Sequence, residues 1–316
     1  MQELLPARWS DPAVILVATD LTDLDRLMPF ALNQAALSLS HLILLHVIPT
    51  ASAISLDAIG DPVYEPTGVI RQAEIFLHPW CEAAARRNVL CDVVVREGDA
   101  ASQIEGAARQ FRADRILIGT RNSGKGNLVL LGSVAEQVLR SVNLPVITVG
   151  PEAHLQVDSG EQPPVILHAT TLRETSRPSA ALACQLAARH GARLILLHVL
   201  PPIDAMEQFG ELSTLDAAAR NELGRLARET AAGSQVEIVP RIVHGNPLIE
   251  ILAVAAQCRA RCIVLGAASR RTFDKVTRDR TVFQVLAHAR CPVLTLREPQ
   301  AAHESEREPA AAAERG

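Results

Sequence analysis

Aromatic side chains are scarce in this 316-residue chain: six Phe, two Trp and one Tyr, 3% of the total. A stacking platform for single-stranded nucleic acid needs several exposed rings at close spacing, so that function is disfavoured and the core must be aliphatic. Positive charge is not in surplus either. Lys and Arg total 31 against 35 Asp and Glu, and a net charge of −4 leaves no broad basic field for phosphate backbones. No nucleic acid is expected as a partner. No apolar run approaches the roughly 18 residues of a membrane helix, and the opening MQELLPARWSDP has neither a basic n-region nor an apolar h-region. The expectation is a cytoplasmic chain with no membrane partner. The six cysteines form no CxxC pair, and most fall in apolar periodic segments where a reduced thiol packs as a small hydrophobe. Cys258 and Cys262 are divided by a helix end and the next strand, which argues against a metal site, and no metal ligand set is assigned.

What is present is a repeat. LILLHV occupies Leu42 to Val47 and recurs letter for letter at Leu194 to Val199, an offset of 152 residues. Ala18-Thr19 corresponds to Ala169-Thr170, Gly98 to Gly245, the ILIG ending at Gly119 to the IVLG ending at Gly266, and Pro145-Val146 to Pro292-Val293, with offsets of 147 to 152. Two homologous domains follow, 1–151 and 164–297. A polar linker runs from Pro151 to Pro163, and a Glu/Ala/Pro tail, 298–316, has the composition of a disordered segment.

Within each copy, short β-branched or leucine-rich runs alternate with longer segments of 3.6 period, the mark of βαβ units and a parallel sheet. In the first copy the pattern predicts strands at 13–19, 42–48, 91–96, 115–119 and 145–149. Leu24, Leu27, Met28, Ala31, Leu32, Ala35 and Ala36 fall on one helical face, with Thr22 or Asp23 placed to cap it. The stretch 50–67, with Gly60, Pro62 and Pro66, has no period and reads as a long loop, a candidate lid. The fold class is therefore α/β: two tandem doubly wound, five-stranded parallel-sheet domains, Rossmann-like; the strand order 3-2-1-4-5 is taken as the expectation for such a unit. The last strands of the two copies are apolar edges that need covering, and they are expected to cover each other as an intrachain pseudo-dimer. A further homodimer of whole chains stays open.

Open parallel sheets take ligands beyond the carboxyl ends of their strands, where the winding reverses. Here that crevice lies between the loops after strands one and four, which carry Asp20 and the segment GTRNSGKGNLVLLGS from Gly119 to Ser133. Small residues there bring backbone N–H groups close to a phosphate, and Gly132-Ser133 opens a helix whose dipole favours negative charge. Gly119 to Lys125 also mimics a P-loop, but Gly126 stands where Ser or Thr is required and the segment follows the fourth strand. Arg121 and Lys125 read as solvated cations. His46 and His198, repeated inside apolar strands, read as hydrogen-bonded structural histidines. No Ser/His/Asp arrangement stands out, so no catalytic residue is assigned.

At these residues the chain resembles the universal stress protein family, in its tandem form. The resemblance runs from Ala13 to Leu296 and rests on the Asp after strand one, the LLHV strand, the glycine after strand three, a G-x-x-G-x9-G-[ST] loop and the closing PV strand. It implies ATP or another adenine nucleotide in domain 1, and leaves room for Mg²⁺ with it. Asp20 and Val47 would contact adenine or ribose, and Gly119 and Gly132-Ser133 ribose and phosphates. Asn122 stands in the place of the family's second glycine, nine residues before Gly132; asparagine tolerates a left-handed backbone better than other side chains. In the second copy Thr171 replaces Asp20, Ser269 replaces Asn122, and Asp279-Arg280 replaces Gly132-Ser133, so that site reads as degenerate. Three functions compete: a regulatory protein that binds a nucleotide in domain 1 and acts through conformation or an unidentified protein partner; a nucleotide-free scaffold of the stress response; and an enzyme. The last ranks lowest, because the HxGH and SGGxDS signatures of adenylyl transfer are absent.

Overall fold

The computed structural model describes residues 6–50, 66–120, 132–153, 163–203, 212–267 and 277–298. The first domain runs β1 (Val14–Thr19), α1 (Leu24–Ser38), β2 (His41–Ile48), α2 (Pro66–Ala85), β3 (Cys91–Glu97), α3 (Ala100–Gln110), β4 (Arg115–Gly119), α4 (Ser133–Ser141) and β5 (Val146–Val149). The second runs β6 (Val165–Ala169), α5 (Arg177–Arg189), β7 (Arg193–Leu200), α6 (Leu212–Ala231), β8 (Ile238–His244), α7 (Pro247–Gln257), β9 (Cys262–Ala267), α8 (Thr277–His288) and β10 (Val293–Arg297). Each domain has the expected strand order 3-2-1-4-5, and its neighbouring strands are parallel. The strands expected from the pattern lie within a residue of those observed. The expected long loop ends sooner than the lack of period suggested, because Pro66 and Thr67 open α2; proline's fixed φ and missing N–H suit a first helical position. Residues 51–65 of that loop lie outside the described residues.

Alternation along the strands sends side chains to two faces, and each face is a separate core. Ile15, Val17, Leu42, Leu44 and Leu117 pack under α1, while Leu16, Ala18, Ile43, Leu45, Ile116 and Ile118 pack against residues of α3 and α4 such as Ile104 and Val138. Both cores continue into the second domain, because the two sheets are one. β5 and β10 pair antiparallel, Ile147 opposite Leu294, in a ten-stranded order β3-β2-β1-β4-β5-β10-β9-β6-β7-β8. Ile147 and Leu294 are almost sealed, and burying an aliphatic side chain of that size stabilises by about 1.5–3 kcal/mol. Each seam strand adds a buried hydroxyl donor: Thr148 Oγ1 to the Val293 carbonyl at 3.3 Å and Thr295 Oγ1 to the Val146 carbonyl at 3.2 Å. Arg189 of α5 bridges the domains from outside the sheet, donating to the Leu37 carbonyl at 2.9 Å and pairing with Asp11 at 2.7 Å. No described helix is long and apolar enough to cross a membrane.

Candidate functional site

β1 lies between β2 and β4, with Thr19 opposite His46 and Ala18 opposite Ile118. That register brings Asp20, Val47 and Gly119 to the carboxyl ends of three adjacent strands. The sharp exit of the chain from β1 is built from local hydrogen bonds. Leu21 takes a positive φ of 72°, its N–H bonds Thr19 Oγ1 at 2.9 Å, and Asp20 Oδ1 accepts from the Thr22 N–H at 2.8 Å and the Thr22 hydroxyl at 2.6 Å. One oxygen of Asp20 is thus committed to shaping its own turn, as aspartate side chains do. His46 Nδ1 lies 2.9 Å from the Thr19 carbonyl, which fixes the ring within the strand pair; His198 repeats the contact with the Thr170 carbonyl at 2.9 Å. Val47 is half-buried and packs into the face covered by α3.

Asp23 behaves differently from its expected role. It stands at the N-cap of α1, yet its side chain makes no capping hydrogen bond. The carboxylate turns inward, accepts from the Thr19 hydroxyl at 2.5 Å and lies against Gly119, where a Cβ would meet Asp23 Oδ2 at 1.9 Å. Asp23 is 5% exposed. Burial, reinforced by the negative charge of Asp20, raises its carboxyl above the ordinary aspartate value, with the Thr19 hydrogen bond and Arg26 opposing. Gly119 is therefore required by the chain's own carboxylate. Thr120, which follows it, is buried, and its hydroxyl finds no hydrogen-bond partner among the described residues. Asn122, Arg121 and Lys125 lie outside the described residues.

α4 starts at the same end of the sheet, since it runs back from the carboxyl end of β4. Gly132 is its N-cap, with extended backbone (φ −60°, ψ 143°) and no side-chain cap, and a Cβ built on it meets nothing within 4 Å. The first-turn N–H groups from Ser133 onward receive no side-chain cap from Gly132, and the positive end of the helix dipole lies behind them. Negative charge is favoured at such a helix start.

The second copy has the same frame with other groups. Leu172 repeats the positive φ, at 60°, and its N–H bonds Thr170 Oγ1 at 3.1 Å. A short 3-10 turn, Glu174–Ser176, follows, and Ser176 takes Asp23's place at the helix N-cap with its hydroxyl 3.0 Å from that of Thr170. The glycine near the end of the fourth strand is again approached by a carboxylate, this time from the far end of the domain. A Cβ on Gly266 would meet Glu298 Oε1 at 2.0 Å, while Glu298 Oε2 accepts from the Thr175 hydroxyl at 3.0 Å and the Glu298 N–H bonds the Ala267 carbonyl at 2.7 Å. Glu298 heads the tail expected to be disordered; residues 299–316 lie outside the described residues. Because α8 begins at Thr277, the backbone of Asp279 and Arg280 stands inside its first turn, where the first copy has a capping glycine. Sequence reasoning missed Asp23 and Glu298 as site groups. The only signal for Asp23 was its spacing of three from Asp20, which serves a helix cap equally well.

Both halves of the chain match a family model described as the universal stress protein family, over residues 13–150 and 164–297. A Thermus aquaticus protein named universal stress protein in QAH/OAS sulfhydrylase 3′ region is 29% identical over 126 residues, which is 39% of this chain and 90% of that one. A universal stress protein from Archaeoglobus fulgidus DSM 4304 superposes with a TM-score of 0.66 at 19% identity, over 92% of this chain and 98% of its own. A functionally unknown protein from Pseudomonas aeruginosa PAO1 gives 0.64 at 16%, over 93% and 95%. At those identities the structural likeness speaks to the fold alone, a pair of doubly wound units in one chain. The twofold sequence match carries the assignment: the chain belongs to the universal stress protein family and holds two of its domains in tandem.

Proposed function

We propose that this is a cytoplasmic regulatory protein of the universal stress type that holds one adenine nucleotide, ATP or a relative, in domain 1 and acts by changing conformation or partner affinity. The observation that carries this reading is the start of α4: Gly132 puts no side chain over the first-turn N–H groups and gives them no side-chain cap, at the end of the sheet where the winding reverses. The phosphates would meet Gly132 and Ser133, with Asp20 and Val47 on the ribose or adenine and the Gly119 backbone beside them. Mg²⁺ would travel with the phosphates, supplying charge neutralisation. Binding alone suffices for such a role if the nucleotide prefers one conformation.

The test is what the purified protein carries and what it takes up. Denaturation should release an adenine nucleotide, and calorimetric titration should find one site per chain. Gly132→Asp copies the residue of the second copy and places a side chain and a negative charge before the phosphates. It should weaken binding by at least about a hundredfold, since unpaired like charges cost several kcal/mol and each 1.4 kcal/mol is tenfold. Two equivalent sites, or indifference to Gly132→Asp, would overturn the assignment to domain 1. A second reading, a nucleotide-free scaffold, is favoured by the carboxylates of Asp23 and Glu298, which lie against Gly119 and Gly266 where a ligand's anionic group would approach. Protein that releases nothing and binds nothing would select it.

A further inference from the structure

Two cysteines ten residues apart meet at the edge of the sheet. Cys81 lies in the last turn but one of α2, and Cys91 is the first residue of β3, the outermost strand of domain 1. Their sulfurs are 2.6 Å apart and share a hydrogen bond. Both thiols are half-buried rather than sealed, whereas Cys184 and Cys291 are buried in the cores. The turn between them is tightly held: Val89 N–H bonds the Ala84 carbonyl at 3.0 Å, Asn88 takes a positive φ of 56°, and the Leu90 carbonyl accepts from Leu42 N–H at 2.8 Å. The sulfurs are thus kept together by the fold and not by chance rotamers on a loose segment. A covalent S–S bond of about 2.05 Å is within a small side-chain adjustment of that contact.

We propose that Cys81 and Cys91 are a redox-active dithiol, oxidised reversibly to an intramolecular disulfide by low-molecular-weight disulfides such as glutathione disulfide. Cys81 is the attacking thiol. Once it ionises, the Cys91 thiol donates a hydrogen bond to it, which holds Cys81 below the ordinary thiol value and pushes Cys91 up. Burial pushes Cys258, Cys262 and Cys291 up as well, Cys262 to about 11, which disfavours their thiolates. The Cys81 thiolate attacks one sulfur of glutathione disulfide and expels a glutathione thiolate. Cys91 then gives up its proton, its sulfur attacks the Cys81 sulfur of the mixed disulfide, and the second glutathione leaves. The protein dithiol loses two electrons and two protons, and one glutathione disulfide becomes two glutathione thiols. The site belongs to domain 1 alone: in β8 the residue paired with Leu194, as Cys91 is paired with Leu42, is Ile238.

The experiment equilibrates the full-length protein with glutathione buffers of rising oxidised fraction, quenches by alkylation under denaturing conditions and counts modified thiols by mass. The count should fall from six to four in a single step, and digestion should yield the Cys81–Cys91 peptide pair. Cys91→Ser should accumulate one glutathione on Cys81, and Cys81→Ser should form no disulfide. Six alkylated thiols at the most oxidising ratio would overturn the proposal, as would a disulfide that leaves Cys81 and Cys91 free. A Cys91→Ser protein without the glutathione adduct would overturn Cys81 as the attacking thiol. The wild-type count needs no variant and stands whether or not the substitutions fold.

Discussion

The two switch points of this chain share a frame and differ in who fills it. In domain 1 the carboxylate against the strand-four glycine comes from Asp23, three residues beyond the site aspartate and locked at the start of α1. In domain 2 it comes from Glu298, just beyond the last strand, on a longer side chain whose backbone N–H still bonds the end of β9. A glycine at this position is therefore accounted for twice by internal packing, and by itself it says little about ligands. The difference that bears on function is at the next helix, where Gly132 puts no side chain at the start of α4 and the second copy carries its helix start further forward. A site can erode at one element while its neighbours keep their geometry.

Substitutions that exchange the two copies probe this contrast, and the largest stability effect lies in the central strands. His168 occupies in β6 the place of Val17 in β1, fully buried, with Nδ1 3.0 Å from the Val264 carbonyl and Nε2 without a hydrogen-bond partner among the described residues. Burial lowers its pKa from 6.5 to about 4. Between those values the unfolded chain binds a proton that the folded chain refuses, so stability falls as pH drops from 6.5 to 4, by about 3 kcal/mol at most. His168→Val should remove that component, measured by urea denaturation at pH 4 and pH 7.5. An unchanged acid slope would mean that His168 is not held neutral.

The glycines come next. Gly119→Ala must displace a carboxylate that is buried and held by the Thr19 hydroxyl, and should cost about 1–3 kcal/mol. Gly266→Ala displaces a glutamate whose carboxylate is held by the Thr175 hydroxyl but whose longer side chain has more rotatable bonds with which to move aside, and should cost less than Gly119→Ala. Equal losses in thermal or denaturant unfolding would erase the distinction between Asp23 and Glu298. The smallest effect is expected from Asp23→Asn. A carboxyl raised above its unfolded value of 3.8 makes the folded chain bind the extra proton, so stability declines as pH rises through that window and the penalty persists at neutral pH. Asparagine keeps an oxygen for the Thr19 hydroxyl and removes the charge. It should stabilise slightly at pH 7 and lose that advantage in acid; destabilisation at pH 7 would show that the charge itself is needed.

Much of this was legible in the sequence because it rests on period and repetition. The duplicated LILLHV and the alternation of strand and helix patterns led to two doubly wound domains, for which 3-2-1-4-5 is the expected order, and the apolar last strands led to the β5–β10 pairing. What escaped depends on contacts that no local pattern encodes. Asp23 carries the signature of a helix cap, and only the empty space over Gly119 draws its carboxylate inward. Glu298 reaches Thr175 across 123 residues of chain and sits in a segment whose composition suggests nothing ordered. The start of α2 at Pro66 follows a stretch without period. Cys81 and Cys91 have a spacing that belongs to no motif, because a helix end and a turn bring them together.

The β5–β10 seam has a consequence for how the molecule responds to its own abundance. Two separate polypeptides joined along such an edge would come apart on dilution, and their assembly would track expression level. Here a tether supplies the second half at a fixed effective concentration, whatever the number of copies in the cell. The edges nevertheless remain nearly self-complementary, with Val opposite Thr on either side of the Ile147–Leu294 pair. Such an edge is competent to trade partners with another chain at high concentration.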